Sequence, residues 1–153
     1  MQVVSGAMGH ERVHYQAPDS DDVPSMMDEF LAWVNRDVAI DPILKAAIAH
    51  IWFVSIHQFD DGNGRLTRTI TDMLLARADE TPHRFYSMSA EILRERKGYY
   101  AALEKTTVGS MDITEWIEWF LQTLRNAILR SETMVRRVVK KSLFWQRNSD
   151  VSM

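Results

Sequence analysis

Apolar residues recur at three- and four-residue steps along most of the chain, and this spacing is typical of amphipathic α-helices. The predicted helices cover residues 24–35, 43–56, 66–78 and 89–105, and a long last segment from residue 112 onward. The segment 43–56 is apolar on most of its sides, so we expect it to be the buried central helix. The pattern as a whole predicts an all-α bundle.

Proline and small polar residues mark where these helices begin. Pro24 and Pro42 stand at first-turn positions, where the missing N–H costs no hydrogen bond. Asp41 precedes Pro42 and can cap the central helix, and Ser89 can cap the fourth helix in the same way. The helix boundaries therefore rest on local signals as well as on periodicity.

The two ends of the chain show weaker patterns. Residues 3–18 read as two short extended pieces around a Gly-containing turn, which predicts a β-hairpin. Beyond Ser131 the apolar pattern thins among basic residues, and we interpret this segment as a solvated helix face, with a nucleic-acid contact as the alternative. The resulting plan is a single domain, 1–153, with a hairpin at 1–18, a helical core at 24–130 and a C-terminal helix extension at 131–153.

Composition narrows the class of protein. A chain of 153 residues fits one domain, and its net charge of −3 gives no sign of a nucleic-acid or membrane-surface protein. Cysteine is absent, which excludes disulfides and thiol chemistry. No run of about 18 apolar residues appears, and the first twenty residues lack a signal-peptide pattern. We therefore expect a soluble, cytoplasmic protein.

The segment 57–68, which reads His-Gln-Phe-Asp-Asp-Gly-Asn-Gly-Arg-Leu-Thr-Arg, carries the candidate chemistry. It lies between two predicted helices, so its Gly-Asn-Gly turn falls where the second helix begins. The N-terminus of a helix leaves backbone N–H groups without internal partners and attracts phosphate. Gly62 and Gly64 allow the backbone to approach an anion closely. The turn therefore predicts a phosphate site.

The charged residues of the segment fit the same site. Arg65 and Arg68 are three residues apart, so both project from one side of the new helix, and each guanidinium can grip phosphate oxygens with two hydrogen bonds. We expect Leu66, Ile70, Met73 and Leu74 to bury the other face of that helix. Asp61 precedes the turn, where a carboxylate would repel phosphate unless a cation such as Mg²⁺ lay between them.

This segment resembles the signature of the Fic (filamentation induced by cAMP) family, His-x-Phe-x-Asp-Gly-Asn-Gly-Arg-x-x-Arg. The eight specified positions are His57, Phe59, Asp61, Gly62, Asn63, Gly64, Arg65 and Arg68. Relatives usually have proline where this chain has Gln58, a variable position. A further stretch, Arg96-x-x-Tyr99-Tyr100-x-x-Leu103, resembles one that follows the motif in Fic proteins.

The resemblance implies a Fic-fold helical bundle that transfers AMP from ATP to a hydroxyl of a target protein. His57 would be the catalytic base, which a neutral imidazole can be near pH 7. Asp61 would hold Mg²⁺, and Phe59 would anchor the loop in the core. The ATP- and phosphate-binding residues would be Gly62, Asn63, Gly64, Arg65, Arg68 and Tyr100.

Two parts of this picture stay open at the level of sequence. Tyr100 is a candidate for contact with the adenine, but it fits a core aromatic equally well. The hairpin resembles the family's flap, which aligns a target peptide by strand pairing. The target itself, and whether its acceptor is Ser, Thr or Tyr, is not visible in the sequence.

The chain also departs from its relatives. Many Fic proteins carry an inhibitory helix of the form Ser/Thr-x-x-x-Glu-Gly/Asn, and we find no match to it in this sequence. The segment Ser25 to Phe30 is nearest but ends in Phe. An antitoxin or another segment could supply the glutamate. Relatives usually have helices before the flap and many have a winged-helix domain after the last helix, so we expect a fragment of a longer protein, with nucleic-acid binding only if such a domain exists.

Other activities remain as alternatives. The same fold can remove AMP from proteins, usually with help from a glutamate for which we find no match in this sequence. A phosphotransferase is disfavoured, because that branch has Lys where this chain has Gly64. A toxin of a toxin–antitoxin pair, or a non-catalytic interaction module, is the third possibility, although the intact set of eight residues argues against a dead site.

Overall fold

The computed structural model describes residues 2–5, 12–16, 18–81, 84–108 and 112–148. Within these residues the chain forms two strands and six helices. They are β1 (Gln2–Ser5), β2 (Arg12–Gln16), α1 (Val23–Asn35), α2 (Pro42–Ile56), α3 (Asn63–Ala78), α4 (Met88–Arg94), α5 (Arg96–Val108) and α6 (Thr114–Arg147). The predicted all-α bundle is confirmed.

Helix α2 is the central element, as its apolar sequence predicts. It packs against α1, α3 and α6. Ala46, Ala47 and Ala49 are fully buried, and their small side chains allow the neighbouring helices to approach closely. The indole of Trp116 on α6 uses this space, because its Nε1 donates to the carbonyl oxygen of Ala47 at 2.8 Å. That bond satisfies the polar atom of a large buried aromatic side chain.

The layer between α1 and α2 consists of aromatic rings. Phe30 is fully buried and packs edge-on against Trp52, with ring centroids 5.7 Å apart. Its ring also lies 5.4 Å from that of Phe53. Asp41 begins α2 as predicted, since its side chain accepts from the backbone N–H groups of Ile43 and Leu44 at 2.8 and 3.2 Å.

The segment that was expected to be one helix from Ser89 to about Lys105 is two helices. Ser87, not Ser89, caps α4, because its hydroxyl accepts from the N–H of Ala90 at 3.1 Å. The hydroxyl of Ser89 instead donates to Asp72 on α3 at 3.2 Å. The chain leaves helical geometry at Glu95 and α5 begins one residue later.

The buried face of α3 is the main departure from the predicted packing. Leu66 and Met73 were expected to be buried but are 39% and 41% exposed. The face turned to the core carries Asn63, Thr67, Thr71, Leu74 and Leu75. Hydroxyls can lie there because each threonine donates to a carbonyl oxygen one turn earlier, at 2.7 and 2.8 Å.

Helix α6 has a buried half and an exposed half. Its buried side chains end at Ala127, whereas residues 132–148 are all exposed. At the junction the carboxylate of Glu91, fully buried on α4, contacts Arg94 at 3.1 Å and Arg130 of α6 at 3.0 Å. Two arginines compensate the buried charge, so this triad joins α4 to α6 at the end of the core.

The two strands β1 and β2 pair antiparallel, with Val3 opposite Tyr15, and β2 lies against α5. The Gly-containing turn that was predicted between them lies outside the described residues. In the part of the chain that is described, no helix is long and apolar enough to span a membrane.

Candidate active site

The predicted chemical segment is the connection between α2 and α3. His57 ends α2 in a left-handed conformation, with φ 51° and ψ 47°. Gly62 precedes α3 with φ 91°, a conformation that side chains rarely adopt. The loop is thus bounded by two left-handed residues, and α3 begins at Asn63 as the Gly-Asn-Gly pattern predicts.

Asn63 holds the loop closed. Its Oδ1 accepts from the backbone N–H of Phe59 at 3.0 Å, and its Nδ2 donates to the carbonyl oxygen of the same residue. Both ends of the amide are therefore engaged by the loop. The prediction that Phe59 anchors the loop in the core is wrong for its side chain, which is 40% exposed. The backbone of Phe59 makes the anchoring contacts instead.

Asp61 and Arg65 form an ion pair at the mouth of the loop, with Nη2 and Oδ2 2.7 Å apart. Both side chains are largely exposed. Exposed pairs of this kind contribute only about 0–1 kcal/mol, so little is lost when either group takes another partner. The guanidinium of Arg65 also lies against Gly62, where a Cβ would meet its Nη2 at 3.6 Å.

Arg68 points to a different place from Arg65. Its Nη1 lies over Gly64, where a Cβ would meet it at 3.5 Å. Its charge acts on two buried groups, since it lowers the pKa of both His50 and Tyr99, although burial raises the pKa of Tyr99 overall. The sequence predicts that both arginines project from one side of α3. Arg65 pairs with Asp61, whereas Arg68 acts on the buried groups of α2 and α5.

Arg68 lines a cavity of about 510 Å³ between α3, α4 and α5. Arg68 and Arg96 supply two cations to its wall, which is otherwise mostly apolar and aromatic. The other lining residues are Ser89, Ala90, Ile92, Leu93, Arg96, Tyr99 and Tyr100. A cavity of this size suits a small molecule with a charged end and a flat apolar part.

The structure distinguishes Tyr99 from Tyr100, one as a core aromatic and the other as a side chain exposed at the cavity. Tyr99 is buried and packs among core rings, with its centroid 5.5 Å from that of Trp119. Tyr100 is 54% exposed and its ring lies 5.6 Å from the guanidinium carbon of Arg96. Tyr99 is thus the core aromatic, and Tyr100 offers its ring to the cavity.

Sequence reasoning missed the contribution of α4 to this cavity. Leu93 is 71% exposed, although it is a large apolar side chain next to the aromatic wall. Its position three residues after Ala90 places both on one face of α4. The sequence signal that could have indicated this contribution is the helix break at Glu95, which we did not predict.

The site offers no complete metal cage of its own. Among the described residues no group of three or more His, Asp or Glu side chains converges. Asp61 is a single exposed carboxylate next to the N-terminus of α3. Such a donor fits Mg²⁺, which is commonly held by one or two carboxylates together with the phosphates of a substrate.

Comparison with known proteins supports the assignment of the motif. The model of the Fic/DOC family matches residues 3–75. Protein adenylyltransferase fic-1 of Caenorhabditis elegans is 33% identical over 91 residues, which are 58% of this chain and 17% of that protein. Protein adenylyltransferase Fic of Aedes aegypti is 40% identical over 67 residues, which are 42% of this chain and 13% of that protein.

A solved structure shares the fold over most of the chain. The crystal structure of a Fic family protein from Desulfovibrio desulfuricans G20 matches with a TM-score of 0.68 at 28% sequence identity. The match covers 82% of this chain and 38% of that one. The family model, the relatives and the solved structure thus agree in supporting a Fic domain in this chain.

Proposed function

We propose that this chain is a protein adenylyltransferase, which transfers AMP from ATP to a hydroxyl group of a target protein and releases pyrophosphate. Partial similarity to protein adenylyltransferases supports a Fic-type transferase activity. The observation that carries the finer proposal is the cavity between α3 and α5. It joins Arg68, at the phosphate-binding end of α3, to the exposed ring of Tyr100.

The proposed roles divide along the cavity. The polyphosphate lies at the N-terminus of α3, where the N–H groups of Asn63 and Gly64 and the guanidinium groups of Arg65 and Arg68 face it. The adenine lies against Tyr100. Since the side-chain amide of Asn63 is engaged by Phe59, this residue acts on the nucleotide through its backbone and through the shape it gives the loop.

His57 is the proposed general base. The target hydroxyl attacks the α-phosphorus, its proton passes to the imidazole of His57, and the bond to the pyrophosphate oxygen breaks. The left-handed conformation of His57 directs the chain out of α2 at the start of the phosphate loop. Asp61 would hold Mg²⁺ against the phosphates, and the ion would neutralise charge on their oxygens when bound.

The strand pair β1–β2 is the proposed flap. Because β2 lies against α5, the strands are on the same side of the bundle as the cavity wall. An extended peptide of the target can add to such a strand edge through backbone hydrogen bonds. This arrangement would present a Ser, Thr or Tyr hydroxyl to His57.

Labelled ATP tests the proposal directly. The protein is incubated with Mg²⁺, a cell lysate and either α-labelled or γ-labelled ATP, and label on protein is measured. We expect transfer of the α-label, to a target or to the chain itself. Leu129→Ala is the control variant, because it changes an exposed residue of α6 and should keep full activity.

The other outcomes identify the alternatives. Transfer of the γ-label would indicate a phosphotransferase, and loss of label from a pre-modified protein would indicate removal of AMP. No transfer in spite of ATP binding would favour a non-catalytic module or a toxin restrained by a partner that supplies a glutamate. Such a glutamate would compete with the γ-phosphate for Arg68, since two anions cannot hold the same guanidinium fork.

A further inference from the structure

We propose that a buried chain of hydrogen bonds from the start of α3 to Tyr99 fixes the distance between the phosphate end and the aromatic wall of the cavity, so that the site is matched to a nucleoside triphosphate. We call this chain of groups the polar ladder. Its members are the carbonyl oxygens of Asn63 and Thr67 and the side chains of Thr67, Thr71, His50 and Tyr99. The inference rests on the proposed function and deepens it.

The polar ladder runs along α3 and then crosses to α5, and its first two hydrogen bonds are joined through the backbone of Thr67. Thr67 donates to the carbonyl oxygen of Asn63 at 2.7 Å, and Thr71 donates to that of Thr67 at 2.8 Å. Nδ1 of His50 lies 2.9 Å from the hydroxyl oxygen of Thr71, and Nε2 lies 3.1 Å from the hydroxyl oxygen of Tyr99. All of these side chains are buried.

The donor and acceptor roles follow from the inventory of each group. The hydroxyl proton of Thr71 is used on the carbonyl of Thr67, so its oxygen must accept from His50. Nδ1 of His50 therefore carries the proton, and Nε2 accepts from the hydroxyl of Tyr99. Burial and the charge of Arg68 lower the pKa of His50 to about 3, which keeps the ring in this neutral form.

The polar ladder connects two helices that line the cavity. Its first group belongs to Asn63, the first residue of the helix that carries Arg68, and its last group belongs to Tyr99, which lines the cavity beside Tyr100. His50 of α2 bridges α3 and α5 directly. Apolar packing would allow the helices to slide by fractions of an ångström, whereas hydrogen bonds fix both distance and direction.

A ligand that uses both ends of the cavity should depend on this spacing. ATP would contact the N-terminus of α3 with its phosphates and Tyr100 with its base. Inorganic tripolyphosphate would contact the phosphate end alone. A change in the polar ladder should therefore lower the affinity for ATP and leave the affinity for tripolyphosphate unchanged. A general loss of stability would lower both.

The chain offers a closely matched control. Thr71 and Thr123 are both buried helical threonines whose hydroxyls donate to the carbonyl one turn earlier, each at 2.8 Å. Only Thr71 also contacts His50. Thr71→Val and Thr123→Val thus remove the same local bond, and only the first breaks the polar ladder.

The test is calorimetric titration of the full chain with ATP and with tripolyphosphate, both in Mg²⁺. We expect Thr71→Val to lower the affinity for ATP about fivefold or more, which is the size of a typical coupling between two sites. Tripolyphosphate should bind within twofold of the wild type, and Thr123→Val should bind both ligands like the wild type. Tyr99→Phe, which removes only the last hydroxyl, should reproduce the effect and decides the matter if Thr71→Val does not fold.

Two results would overturn the inference, and they are distinguishable. If the wild type binds ATP and both ladder variants bind it equally well, or lose ATP and tripolyphosphate to the same extent, the polar ladder does not position the nucleotide. If the wild type binds tripolyphosphate but gains nothing from the nucleoside part of ATP, the proposed function fails together with the inference.

Discussion

Helix α2 packs against α1 and α3 in two different ways. Toward α1 the contact is made by aromatic rings, with Phe30 between Trp52 and Phe53. Toward α3 the buried groups include hydroxyls and an imidazole, those of Thr67, Thr71 and His50, beside the leucines at 74 and 75. One helix thus has an aromatic interface on one side and an interface with buried hydrogen bonds on the other.

The difference separates stability from positioning. An apolar interface gains free energy in proportion to the area it buries and tolerates small shifts. Buried hydroxyls contribute less net free energy, but leaving one unpaired is costly, so they permit fewer arrangements. The precise interface is the one beside the motif, where a reacting group must be placed accurately.

The largest expected effect is that of His57→Ala on transfer. We expect AMP transfer to fall by about 10²–10⁴-fold, the usual contribution of a general base. ATP affinity should stay within a few-fold, because the imidazole acts on the target hydroxyl. The measurement is the initial rate of label transfer beside calorimetry with ATP. A variant that keeps more than about a tenth of the rate would remove His57 from the mechanism.

A substitution in the aromatic interface should lower the stability of the protein and leave the active site unchanged, the opposite of what we expect for His57→Ala. Phe30→Ala removes a ring that is fully buried, and we expect the free energy of unfolding to fall by about 3–5 kcal/mol. The folded fraction should still bind ATP within twofold. Chemical denaturation measures the first quantity and calorimetry at low temperature the second.

Leu31 provides the control for this prediction, since it is the next residue of α1 and is 47% exposed. Leu31→Ala should change the free energy of unfolding by less than about 1 kcal/mol, as surface substitutions do. Equal losses at the two positions would contradict the view that stability is concentrated in the α1–α2 layer.

Much of this arrangement could be predicted from local sequence signals. Asp41 and Pro42 predicted the start of α2, and the Gly-Asn-Gly turn predicted the start of α3. These signals work because caps and turns depend on groups within a few residues of one another. The motif was visible for the same reason, since its chemistry lies in one short segment.

The buried face of α3 could be predicted only in part. Leu74 is buried as predicted, but Leu66 and Met73 are more apolar than Thr67 and Thr71, so periodicity did not indicate that the threonines are the buried residues. Thr71 also has a partner far along the chain, because its hydroxyl contacts His50, whose other ring nitrogen contacts Tyr99. Hydrogen bonds over such separations leave no local trace in the sequence, and the same is true of the cavity that joins Arg68 to Tyr100.

The hydrogen-bonded interface should also be sensitive to acid. The pKa of His50 is lowered from 6.5 to about 3, first by burial and then by the charge of Arg68. Below pH 6.5 the unfolded chain takes up a proton that the native ring refuses, so stability falls as the pH drops toward 3. Between pH 6.5 and 5 this loss amounts to about 2 kcal/mol.

His50→Gln isolates this contribution, because Gln retains hydrogen-bonding groups but does not titrate. Carboxylates elsewhere lower the stability of both proteins equally, so the difference between the two denaturation curves is the relevant quantity. We expect the wild type to lose about 2 kcal/mol more than the variant between pH 6.5 and 5. Parallel curves would contradict this expectation, because they would show that His50 has the same pKa in the native and the unfolded protein.

The smallest effect is expected at the cap of α2, which supports both interfaces at once. The carboxylate of Asp41 accepts from Ile43 and Leu44, and Asp41→Ala leaves these N–H groups to water. We expect a loss of about 1 kcal/mol in the free energy of unfolding, the usual value of a lost cap. Asp41→Asn keeps the acceptor and should lose only a small part of this free energy, measured by chemical denaturation at neutral pH.

Because the cap lies at the opposite end of α2 from His57, neither change should alter the affinity for ATP or for tripolyphosphate. A loss of ATP affinity in Asp41→Ala alone would mean that movements of α2 reach the site along the whole helix, and the two interfaces would then be less independent than their chemistry indicates.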